Sequence, residues 1–134
     1  MTKNEIIISL QKGINPYEEY YIEDEVMEAM LEYPNPFELV APILEIIESN
    51  PDIDFGTPGD LVHFVEKFYK KGYEELLLKS VRKSPTMHNI WMLHRCYIDE
   101  DNPLHSKFVL LIKEIKEDES VSSKIKKVIE EFGW

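Results

Sequence analysis

Apolar positions along the chain recur every three or four residues, the period of helices that bury one face. Ile22, Val26, Ala29, Met30 and Tyr33 share one such face, and Phe37, Val40, Ala41, Leu44 and Ile47 share the next. The rhythm continues through Leu61–Tyr69, Tyr73–Val81, Ile90–Ile98, Leu104–Ile115 and Val121–Phe132. No segment alternates with period two between turn residues, so the pattern predicts seven main helices and an all-α fold. Ahead of them, Ile6-Ile7-Ile8 fits either a short helix over residues 4–11 or an edge strand.

Prolines punctuate this pattern. Six of the eight follow Asn, Thr or Ser, at Asn15-Pro16, Asn35-Pro36, Asn50-Pro51, Thr57-Pro58, Ser84-Pro85 and Asn102-Pro103. Such pairs suit helix starts, where a side-chain oxygen accepts from an orphan N–H and proline has none to satisfy. Glu18 and Asp60, three residues after Asn15 and Thr57, suit the positive end of a helix there. Pro42 falls inside an apolar stripe and should kink or restart its helix. Short connections favour antiparallel hairpins over residues 18–49, 57–83 and 85–117, closed by a helix over 120–132. Antiparallel helical hairpins stacked in that order make a small HEAT- or armadillo-like array. The loop around Asn50–Asp60 belongs inside that array, because Ile53 and Phe55 give it something to bury.

Length and composition agree with one helical domain over residues 1–134: the chain is 43% hydrophobic and 31% charged. The single cysteine, Cys96, excludes an internal disulfide and fits a reducing, cytoplasmic setting. No apolar run approaches a membrane span, and the N-terminal residues do not read as a secretory signal.

Charge changes the picture more. The net charge is −11, yet no Lys or Arg occurs from Gly13 to Glu66, a stretch holding fourteen acids. A single-sign surface costs self-repulsion, so this segment reads either as a solvated acidic face or as a surface for a basic partner. Direct binding to nucleic acid is disfavoured, because phosphates would be repelled. Tyr17, Tyr20 and Tyr21 interleave with Glu18, Glu19, Glu23 and Asp24 on an expected Tyr17–Glu32 helix, and tyrosine is favoured at interfaces.

Catalytic patterns are absent. His63, His88, His94 and His105 do not form a zinc spacing, and Asp52-Ile53-Asp54 lacks the glycine and terminal Glu of a calcium loop. His94 reads as a core residue, Cys96 as a buried thiol, and His88 and His105 as surface residues. Arg95 is expected to pair with an acid from a neighbouring helix. No two carboxylates stand out from the rest as an acid–base pair. No catalytic residue, metal ligand or cofactor is therefore assigned.

The stretches FGTPGDLVHFVEKFYKKGYEELLLKSVRKSPT and WMLHRCYIDEDNP, within residues 55–103, together resemble small helical immunity proteins of bacterial polymorphic toxin and contact-dependent inhibition systems. His94 stands where that family's motif carries Asn. The resemblance implies a bacterial cytoplasmic protein that binds a cognate toxin domain, often a nuclease, and blocks it without chemistry of its own. It assigns no binding residues, so those come from the charge map: Tyr17, Glu18, Glu19, Tyr20, Glu23, Asp24, Glu28, Glu32, Glu45 and Glu48. A helical-repeat adaptor unrelated to toxins is the alternative. A small hydrolase or metal-dependent enzyme using the acidic helix is the third reading.

Overall fold

The computed structural model describes all 134 residues and contains eight α-helices and no strand. Helix α1 spans Lys3–Lys12, α2 Asp24–Glu32, α3 Val40–Ser49 and α4 Asp60–Glu66. They are followed by α5 Tyr73–Lys83, α6 Met87–Tyr97, α7 His105–Glu117 and α8 Ser123–Phe132. The choice left open at Ile6–Ile8 resolves to helix. The Thr2 hydroxyl accepts from the Glu5 N–H at 3.1 Å, and the Glu5 carboxylate accepts from the Thr2 N–H at 3.2 Å. This reciprocal cap starts α1, whose Ile6 and Leu10 are buried one turn apart.

The helices pack with α3 on α5, α5 on α6, and α6 on α7 and α8, and α3 also reaches α6. In place of the hairpins expected over 18–49 and 57–83, α2 packs on α1 and on the turn before α3, and α4 packs on α3. Thirty buried apolar residues form one continuous core through these layers. Pro42 restarts its helix. Residues Pro36–Leu39 form a 3-10 turn, and the α-helix proper begins at Val40. Proline then sits in the first helical turn, where its missing N–H costs nothing.

Asn35-Pro36 opens the 3-10 turn as expected, though without a side-chain cap, whereas the other Asn-Pro, Thr-Pro and Ser-Pro pairs lie outside the N-cap positions. The Asn15 side chain accepts from the Tyr17 N–H at 2.9 Å, and Asn102 accepts from the Leu104 N–H at 2.8 Å, both tight turns made by the side chain. Asn15-Pro16 starts no helix, and neither does Asn50-Pro51. Side-chain caps come instead from Thr2, Thr86 and Ser122.

A buried polar network ties the turn before α5 to the turn before α7. The Tyr69 hydroxyl donates to Asp99 at 2.7 Å and accepts from the Asn102 amide at 3.0 Å. That amide also donates to Glu74 at 3.1 Å, while Glu74 accepts from the Lys70 N–H at 2.8 Å. The Lys70 backbone is left-handed, φ 63°, so the Glu74 contact holds a strained turn in place. Two residues on, Gly72 has φ 107°, and a Cβ there would stand 2.9 Å from the Phe37 ring. Alongside, Arg95 grips Glu66 in a two-point contact at 2.7 and 3.0 Å, the partner expected for it.

Asn102→Ala leaves the buried Glu74 carboxylate short of a donor. It should lower the unfolding free energy in urea by about 2–3 kcal/mol with an unchanged denaturant slope. A loss below about 0.5 kcal/mol would show that the network is not a staple.

Candidate docking surface

The expected Tyr17–Glu32 helix is only half formed. Residues 14–23 are irregular, and α2 begins at Asp24. In a longer helix Glu19 and Glu23 would repel at i,i+4, whereas Asp24 and Glu25 in a first turn meet the positive end of the dipole. The irregular stretch is pinned from within. Ile22 is buried, and the Tyr20 hydroxyl donates to the Leu10 carbonyl at 2.8 Å. The Tyr20 ring meets Phe55 at 4.9 Å between centroids, so this tyrosine anchors the fold and is not available as a partner-facing anchor. Burial pushes its phenol well above the ordinary tyrosine range.

What this leaves outside is Tyr17 at 93% exposure and Tyr21 at 65%, among exposed Glu18, Glu19 and Glu23. Helix α2 buries Val26 and Met30 and turns Asp24, Glu25, Glu28 and Glu32 outward. Leu31, 54% exposed, stands among those acids. It went unselected in the sequence although it falls out of phase with the Val26–Met30 stripe, which was the available signal.

Two of the proposed acids belong elsewhere. Glu48 is only 8% exposed and pairs with Lys83 Nζ at 3.4 Å, so it cannot meet a partner. Glu45 is exposed, but it shares a shallow groove with Lys79 and Lys83 of α5, which offset its field. Asp54 and Asp60 take their place: with Glu19 they line a recess of about 290 Å³ against Tyr20 and Phe55. Of the fourteen acids between Gly13 and Glu66, only Glu48 and Glu66 lie in ion pairs. The surface of α2 and the segment before it therefore presents a field that no cation of the chain neutralises at contact distance.

His88 and His105 sit deeper than expected, whereas His94, expected in the core, is only partly buried. His88 is half-buried between Phe55 and Trp91, at 5.5 Å from each ring. His105 stacks on Tyr97 at 5.1 Å, and His94 on Phe132 at 5.7 Å. Cys96 is buried, and burial drives its thiol far above the range in which a thiolate forms. No three His, Cys, Asp or Glu side chains converge as metal ligands would. No helix is long and apolar enough to cross a membrane. Comparison with family models, curated proteins and solved structures finds no match.

Burial holds His88 below the ordinary histidine pKa of 6.5, with Asp54 pulling weakly the other way, and burial does the same to His94. The unfolded chain therefore takes up these protons first as pH falls. The stability they contribute is complete above 6.5 and is lost from there down to the folded values. His88→Asn should flatten the decline of unfolding free energy as pH falls below 6.5 relative to the parent chain, in urea titrations at each pH. Equal slopes in the two chains would mean that His88 titrates alike in both states.

Proposed function

We propose that this protein is an immunity protein that binds a cognate toxin domain through its acidic surface and blocks it without catalysis. The observation that carries the reading is the exposed, unneutralised cluster formed by Glu18, Glu19, Glu23, Asp24, Glu28 and Glu32 around Tyr17, Tyr21 and Leu31. Acids with large rigid side chains among them suit a partner that is basic and gives up water on contact. A nuclease domain fits that description, because its cleft is positive to hold phosphates. An inhibitor that lays carboxylates on that cleft competes with the substrate directly and needs no chemistry.

Charge also sets the kinetics. A complementary field raises association towards about 10⁸–10⁹ M⁻¹s⁻¹ at low salt, which suits capture of a toxin present in few copies. The resemblance of residues 55–103 to immunity proteins supports the same reading independently of the charge.

Tagged protein in host extract at low salt should retain a basic toxin domain that salt releases. Substituting Glu18, Glu19, Glu23 and Asp24 together by Ser should slow association with it about tenfold or more and flatten the salt dependence. Unchanged kinetics would remove this surface from the interface, and recovery of an unrelated cellular protein alone would favour an adaptor.

A further inference from the structure

An apolar pocket lies at the edge of the acidic surface. Its volume is about 500 Å³, within the range of side-chain and small-ligand sites, and its apolar walls are Ile53, Met87, Trp91 and Phe132. The loop after α3, the first half of α6, and α8 supply these walls. Asp54 and Thr57 line both this pocket and the recess formed with Glu19 and Asp60, so the two depressions share a wall.

The charged lining is unequal: Asp52 and Asp54 against Lys124. Asp52 is exposed with no partner of its own, and Asp54 accepts only the Gly56 N–H, at 2.8 Å. His88 also lines the pocket, and its Nε2 is buried without a hydrogen-bond partner. Burial keeps that ring neutral at pH 7, so it adds no repelling charge.

Apolar walls exclude a small hydrated cation, and the excess of carboxylate disfavours an anion. The complementary group has an apolar stem and a delocalised, weakly hydrated positive head. Arginine has both, and it stacks on indole and pairs with carboxylates better than lysine does. Trp91 makes this contact within the chain already: the Arg95 guanidinium carbon lies 5.1 Å from its ring centroid.

We propose that the pocket receives an arginine side chain of the docking partner, its stem against Met87, Trp91 and Phe132 and its guanidinium on Asp52 and Asp54. The acidic surface then attracts the partner, and this pocket anchors it. The identity of the partner rests on the function proposed above, but the pocket's preference for arginine does not.

The test is a titration of the isotopically labelled full chain with N-acetyl-arginine N-methylamide, followed by NMR. The same titration with the citrulline analogue, of equal shape and no charge, is the comparison. The arginine probe should shift the Trp91 indole and the amides of Asp52, Asp54 and Met87 saturably in the millimolar range. The citrulline probe should bind about three-fold more weakly or worse, as loss of an exposed ion pair predicts. Asp52→Asn should weaken the arginine probe alone, while the four-acid Ser variant should still bind it at the pocket. Equal binding of the two probes would overturn the proposal, as would shifts confined to residues 17–32. Saturable binding in a chain that captures no toxin would sink the immunity reading and leave the pocket. Toxin capture with no arginine-dependent shift at Trp91 would do the reverse.

Discussion

Helix α3 is apolar on nearly every side, and a helix of that kind is stable only when it is covered all round. Val40, Ile43, Leu44, Ile46 and Ile47 are each no more than 4% exposed. Burying five such side chains contributes on the order of 10 kcal/mol, comparable to the whole net stability of a small domain. The cover comes from α1, the 3-10 turn, α4, α5 and α6. Ala41, Glu45 and Ser49, spaced four apart, are exposed as a narrow strip, with Pro42 part-exposed beside it. The covering elements are placed by the need to close around this helix, and α2, α7 and α8 pack on them in turn. Glu48 shows the constraint at its limit. Its backbone position faces the cover, so its carboxylate is retained only by Lys83 reaching across from α5.

Four of the cations after Glu66 lie in ion pairs: Lys70 with Asp99 at 3.4 Å, Arg82 with Glu114 at 3.5 Å, Lys83 with Glu48 at 3.4 Å, and Arg95 with Glu66 at 2.7 Å. The acids on α2 and the segment before it have no such neighbours, and like charges within a Debye length of about 8 Å raise one another's energy. An irregular chain through Tyr17–Glu23 eases that repulsion by spreading its acids apart, where a helix would line them up at i,i+4. Holding an irregular acidic segment still then requires inward pins, and Tyr20 on Leu10 and Phe55 supplies them. Order in a segment under repulsion, with Tyr17 and Tyr21 left outside, is the preorganised surface that the proposed docking of a cationic partner would use. Little ordering entropy then remains to be lost on docking.

Helical periodicity carries the architecture, because most residues of each stripe from Ile22 to Phe132 face the core; Phe37, Ala41 and Ile98 are exceptions and lie exposed. It misled where two local signals competed. Asn15-Pro16 followed by Glu18 is equally good as a helix start and as a side-chain turn, and the balance was set by Tyr20 and Ile22, which dock onto α1 and the Phe55 loop. That docking is a tertiary contact with no local trace. Glutamate is ordinarily a surface residue, so sequence places both Glu45 and Glu48 outside; the burial of Glu48 and the lysine neighbours of both depend on where α5 lies. The pocket beside Trp91 was invisible for the same reason, since its walls come from three separate parts of the chain. Arg95 was legible, because a guanidinium beside an apolar stripe must find a carboxylate.

The division of labour along the chain bears on how such a surface can change. Within residues 55–103 one set of polar side chains is consumed internally: Glu66 with Arg95, and Tyr69, Glu74, Asp99 and Asn102 with one another. Substitution there breaks a buried network, so sequence in this stretch is constrained by the fold. On α2 and before it, the exposed acids contact nothing that holds the fold together. Their replacement alters the field at little cost in stability, and often relieves repulsion.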